Sequence, residues 1–83
     1  MRETHFLKIL PEFFEEVKEG RKNFAIRTMD RDFNVGEAVV LREYDPVLQS
    51  FTGRFIHKTI VYLITYKDFP DGICKDYCVF GME

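Results

Sequence analysis

Residues 51–66 read Phe-Thr-Gly-Arg-Phe-Ile-His-Lys-Thr-Ile-Val-Tyr-Leu-Ile-Thr-Tyr. Aromatic and β-branched side chains dominate, the composition of a strand. The run is far longer than the five or six residues of a typical strand. A strand of that length must bend or bulge, here near Gly53 or His57. A chain of 83 residues forms one small domain with a modest core, so a bent central strand forces its sheet to curl.

The rest of the chain supplies the partners. Thr4–Leu10 carries apolar residues on both parities and reads as a largely covered first strand, with Lys8 on the parity of Phe6 and Leu10. Pro11 suits the first position of a helix, where its missing N–H costs nothing. Pro11–Glu19 then places Phe13, Phe14 and Val17 on one stripe and Glu12, Glu15 and Glu16 outward. Gly20 fits a left-handed terminator. Asn23–Thr28 is a second strand; with Phe24 and Ile26 turned to the core, Ala25 and Arg27 face an outer surface or a cleft. Met29–Asn34 is a polar loop, Ala38–Tyr44 a third strand ended by Asp45-Pro46, Val47–Thr52 a hairpin tip, and Cys78–Met82 a final strand. The order predicts an α+β fold: a small mixed β-barrel, or strongly curled sheet, of about five strands with one helix after the first strand.

Charge is polarised. Residues 18–31 hold Lys18, Arg21, Lys22, Arg27 and Arg31 against Glu19 and Asp30, a net +3, and residues 32–45 carry a net −3. Pairing between exposed segments contributes only about 0–1 kcal/mol per pair. The formal charge of −2 argues against a general polyanion binder and restricts any nucleic-acid contact to a local basic patch. No run of 18 apolar residues and no leader-like segment occurs, so a cytoplasmic protein without a membrane partner is expected. Cys74 and Cys78 are too close to staple a fold, and no spacing joins them to His5 or His57 as a zinc site. No phosphate-binding glycine loop, dinucleotide fingerprint or serine-nucleophile motif is present, and no cofactor is implied. His5 reads as structural, with nothing nearby in sequence to complete a triad.

Several segments occur in a familiar order: His5-Phe6-Leu7-Lys8-Ile9, Pro11-Glu12-Phe13-Phe14, Gly20-Arg21-Lys22, Phe24-Ala25-Ile26-Arg27, Asp30 to Gly36, Glu43-Tyr44-Asp45 and Thr52-Gly53-Arg54. Together they resemble small bacterial and phage proteins of the ASCH/PUA-like superfamily. The resemblance covers about the first two-thirds of the chain in ordered motifs; the final third matches only in strand character. It implies a PUA-like β-barrel that binds RNA or a nucleotide-like ligand in a cleft beside the helix. The superfamily motif, a glycine, one residue, a lysine and a strand ending in arginine, falls here on Gly20, Lys22 and Arg27.

Some small relatives in that superfamily are amidohydrolases that remove the acetyl group of N4-acetylcytidine. They resemble this chain at Lys22 but place threonine where it has Ala25, and many members of the closer family carry glutamate there. A methyl group neither attacks nor orients water. The ligand-contacting residues expected from the sequence are Lys8, Lys22, Arg27, Arg31, Tyr44 and Arg54, with Lys22 the catalytic group if the chain is an enzyme. Three functions follow: an RNA- or nucleotide-binding module, an amidohydrolase on an acylated nucleoside, and a protein-interaction domain.

Overall fold

The computed structural model describes residues 3–83. The elements are β1 (Thr4–Ile9), α1 (Pro11–Lys18), β2 (Phe24–Thr28), β3 (Ala38–Asp45), β4 (Ser50–Thr65) and β5 (Tyr77–Met82). They form one five-stranded mixed sheet in the order β1-β3-β4-β5-β2. β1 runs parallel to β3, and the other neighbouring pairs are antiparallel.

β4 makes this topology possible. Its first part, to Thr59, pairs with β3, and its second part, from Ile60, pairs with β5. One strand therefore belongs to both halves of the sheet. The bend expected at Gly53 is present: Arg42 faces Phe55 and Tyr44 faces Phe51, so β4 spends extra residues opposite Glu43. Gly53 sits there at φ +96°, where only glycine is unstrained. The second irregularity lies between Ile60 and Tyr62, rather than at His57.

The helix begins at Pro11, and the Phe14 N–H donates to the Leu10 carbonyl at 2.8 Å. Gly20 follows its end at φ +82°. α1 packs against β3 and buries Phe14 and Val17. Phe13 leaves the expected stripe and stays half exposed. The core gathers alternate residues of the curled sheet: Leu7 and Ile9, Val39 and Leu41, Ile60, and Cys78, Phe80 and Met82.

Three expectations are corrected. β1 is covered on one side only: His5, Leu7 and Ile9 are buried, whereas Phe6 and Lys8 face outward. β2 has the opposite parity to that expected: Ala25 is buried, while Phe24 and Ile26 are exposed. A strand with apolar groups on both parities does not reveal its inner face; here Ala25, paired with the buried Phe80, takes the inner position. Finally, the sheet is not closed into a barrel. β1 and β2 are its two edges, and no ladder joins them among the described residues. One side chain spans the seam instead: the Arg27 guanidinium of β2 donates to the Lys8 carbonyl of β1. The Lys22 ammonium stays on the β2 side, donating to the Phe24 carbonyl at 2.8 Å.

The loop before β3 is anchored by an internal pair. His5 Nε2 lies 2.8 Å from Glu37 Oε1, and the Asn34 N–H donates to the same oxygen at 2.9 Å. Phe33 is buried against the His5 ring, 4.7 Å between centroids. His5 therefore does have an acidic partner, 32 positions away in sequence. The hydrogen bond from His5 holds the Glu37 carboxyl below the usual carboxylate range. The hydrogen bond from Arg54 does the same for Glu43. Carboxyls depressed by folding contribute stability above their unfolded pKa of about 4.3 and lose it as pH falls through the folded value. The melting temperature is expected to hold between neutrality and about pH 5 and then to fall steadily towards about pH 2. A pH series of thermal melts followed by circular dichroism checks this, and Glu43→Gln should flatten the acid limb. An acid limb identical in that variant would remove Glu43 from the account.

Candidate functional site: an acid-free cleft at the open seam

The seam between β1 and β2 opens into a cavity of about 510 Å³, within the range of small-molecule sites. The end of β1 supplies Lys8 and Ile9, α1 supplies Phe13, and the helix-to-strand connection supplies Lys22. Phe24, Ala25, Ile26 and Arg27 of β2 form the opposite wall, and Leu10, Leu41 and Met82 complete the lining. Its lining is apolar and aromatic except for Lys8, Lys22 and Arg27, and it contains no acid, hydroxyl, thiol or imidazole side chain.

None of these three cations forms a salt bridge among the described residues. Each is nonetheless held in place. Arg27 is fixed on the Lys8 carbonyl, and Lys22 on the Phe24 carbonyl. The Lys22 Nζ also lies 5.0 Å from the Phe24 ring centroid and 5.8 Å from that of Phe13. The Lys8 Nζ sits 4.1 Å from the Tyr44 ring centroid. Burial lowers the pKa of Lys22, and the nearby Arg27 charge lowers it further. Burial likewise lowers that of Arg27, with Arg31 adding to the effect and Asp30 opposing it. Desolvation and mutual repulsion leave these cations short of counter-charge, with Asp30 only partly offsetting the effect at Arg27, and an anion entering the cleft relieves both. Each anchor uses one donor, which leaves Lys22 two and Arg27 four.

The other expected site residues separate from this group. Arg31 is exposed, lies 3.5 Å from Asp30, and lines a second recess beyond Arg27, shared with Phe6, Lys8, Arg42 and Phe51. Tyr44 lies outside the cleft, edge-on to Phe51 at 5.2 Å. Arg54 is the clear departure. It donates to Glu43 at 2.9 and 2.7 Å and to Glu15 at 2.8 Å, and it stacks over Phe14 on a separate recess. Its guanidinium is paired with two carboxylates within the protein and lies outside the cleft. Cys74 is exposed in a turn and Cys78 buried in β5, so the pair does not share a face. Glu3, His5 and Glu37 lie together, but the Glu37 oxygen that faces His5 already accepts two hydrogen bonds.

Sequence reasoning missed Phe13 and Arg42. Phe13 was assigned to the core because its neighbour Phe14 belongs there; an eight-residue helix carries too few turns to separate the two by periodicity. Arg42 carried no motif.

Residues 4–82 match the model of a family described as "Domain of unknown function (DUF3850)". The chain is also 30% identical over 81 residues to a protein of Escherichia phage P2, "Uncharacterized 12.9 kDa protein in GpA 3'region". That alignment covers 98% of this chain and 72% of the phage protein. Among the described residues, no helix is long and apolar enough to cross a membrane.

Proposed function

We propose that this chain, which belongs to the DUF3850 family, is a binding module for RNA or a nucleotide-like ligand, taken up in the cleft between β1 and β2. The observation that carries the proposal is the convergence of Lys8, Lys22 and Arg27, unpaired with any acid among the described residues, on one apolar cavity. Such a lining suits a ligand with an anionic group attached to a flat, weakly polar body, which is the make-up of a nucleotide. Arg27 suits the phosphate by its forked donors. The aromatic edge formed by Phe13 and Phe24 suits a base.

The resemblance to ASCH/PUA-like proteins supports the same reading. In that view the open β1–β2 edge of the curled sheet is the ligand entrance. Hydrolysis is the weaker reading, because the cleft offers Lys22 no hydroxyl, thiol or carboxylate to share the chemistry, and Ala25 stands at the position of the relatives' threonine.

The test is calorimetric titration with uridine and cytidine 5′-monophosphates and with the corresponding nucleosides. The nucleotides should bind and the nucleosides should bind much more weakly. Lys22→Glu/Arg27→Glu removes two charge-assisted contacts of about 1.5–3 kcal/mol each. It should therefore weaken nucleotide binding by about 100-fold or more. Losing two carbonyl anchors of about 1 kcal/mol each should lower its melting temperature by roughly 8–16 °C, so binding is compared well below that transition. Equal affinity in wild type and variant would overturn the proposal. A concentration-dependent dimer with no nucleotide affinity would favour the protein-interaction reading.

A further inference from the structure

We infer that the outer face of β1, β3 and the first half of β4 is a docking track for single-stranded nucleic acid, in which Phe6 and Phe55 stack on bases and Lys8 and Arg42 contact phosphates. The inference extends the cleft reading to a polymeric ligand, and the two are separable by experiment.

The register places the groups. Phe6 neighbours Val40, which neighbours His57; one step along, Lys8 neighbours Arg42, which neighbours Phe55; beyond the bulge, Tyr44 neighbours Phe51. Aromatic and cationic side chains are therefore interleaved across the three strands. Phe6 is 60% exposed and Phe55 58%, a high cost for rings on the surface of a small domain unless something covers them.

The cations are positioned rather than loose. Lys8 lies over Tyr44, and the Arg42 guanidinium carbon is 4.0 Å from the Phe51 ring centroid. Phe6 and Phe55 carry no cation over their rings among the described residues, so their faces remain available. Phe55 has its edge contact with His57, 5.8 Å between centroids.

Charge selects the occupant. The outward positions of β1 and β3, and those of β4 from Phe51 to Thr59, contain no acid, although the whole chain carries a net −2; the one acid lining the adjoining recess, Asp30, lies 3.5 Å from Arg31. Glu37 and Glu43 are turned inward. A second copy of the chain would set Lys8 and Arg42 against the same cations, so the face repels itself. A polyanion with exposed flat rings complements it, and stacking of unpaired bases on aromatic side chains is tolerant of sequence. The track also runs into the cleft: Lys8 and Arg27 line both the seam cavity and the recess bounded by Phe6, Arg42 and Phe51.

The experiment is fluorescence anisotropy with labelled oligouridylate and oligothymidylate of about ten nucleotides. Competitors are a duplex of matching length, heparin and uridine 5′-monophosphate. Both single strands should bind more tightly than the mononucleotide, and preference for one of them reads out recognition of the 2′-hydroxyl. Phe6→Ala/Phe55→Ala should weaken oligonucleotide binding by roughly 30-fold or more and leave mononucleotide binding in the cleft unchanged, since neither ring lines it. Oligonucleotide affinity that is no higher than mononucleotide affinity, or that is unchanged by the double substitution, overturns the track and leaves the cleft intact. Heparin or duplex competing as well as single strand overturns it too, by reducing the face to an unspecific cationic surface. Ring-dependent oligonucleotide binding without mononucleotide binding supports the track and counts against the cleft.

Discussion

Phe80→Ala is expected to remove about 3–5 kcal/mol of folding stability, a large share of the roughly 4–12 kcal/mol that a domain of this size holds. Phe80 is fully buried on β5. Its register places it between Ala25 of β2 and Leu63 of β4, and its ring lies 5.2 Å from that of Phe33. The ring thus joins the second half of the sheet to the loop before β3. That loop in turn holds His5 of β1 through Phe33 and Glu37. Truncation leaves a cavity bounded by Ala25, whose methyl cannot fill it, and by strands that cannot close up without breaking ladders. Urea titration followed by circular dichroism measures the loss. Phe80→Leu, which keeps most of the volume, should recover more than half of it. A loss below about 1 kcal/mol in the alanine variant would mean that the core relaxes around the gap and that Phe80 is not the link between the two halves.

Phe80 also marks a boundary of what the sequence discloses. Cys78–Met82 is legible as a strand from its composition, yet nothing in those five residues says that Phe80 lies at the centre of the core. Local signals were read well where local physics decides the outcome. Pro11 opens the helix, Gly20 ends it with a left-handed backbone, and Gly53 takes the bulge in the over-long strand. The five strands and the position of the helix follow from those signals. The errors fall where long-range packing decides. The inner face of β2 depends on which side chain fits beside Phe80, and strand parity does not carry that information. Closure of the barrel depends on whether β1 and β2 meet as ladders or only through the Arg27 side chain. The same holds for the site. Lys22, Arg27 and Lys8 were identified and do line one cleft, whereas Arg54 was grouped with them because its acidic partners are 11 and 39 positions away.

Arg54→Ala should therefore behave as a stability variant and not as a binding variant. The guanidinium ties three elements: Glu43 on β3, Glu15 on α1, and β4 itself. The Glu43 carboxylate is almost fully buried, and besides Arg54 its side-chain partner is the Thr52 hydroxyl, at 2.6 Å. Removing the guanidinium strands a charge that the interior cannot solvate, a far larger penalty than losing an exposed pair. The melting temperature should fall by about 10 °C or more. Glu43→Gln/Arg54→Ala, which removes the charge together with its partner, should melt higher than Arg54→Ala alone, a coupling that a merely solvent-exposed arginine would not produce. The deficit should also shrink in acid. Arg54 holds the Glu43 carboxyl low, so the pair stabilises above the ordinary carboxylate range and ceases to as pH falls through the folded value. The gap between wild type and Arg54→Ala should begin to narrow below about pH 4 and close only once pH has passed below the lowered folded value of Glu43. Nucleotide affinity, measured where the variant is still folded, should match wild type, because Arg54 faces away from the seam. Loss of binding without loss of stability would reverse the assignment. It would return Arg54 to the ligand site and leave Glu43 without the partner that makes its burial tolerable.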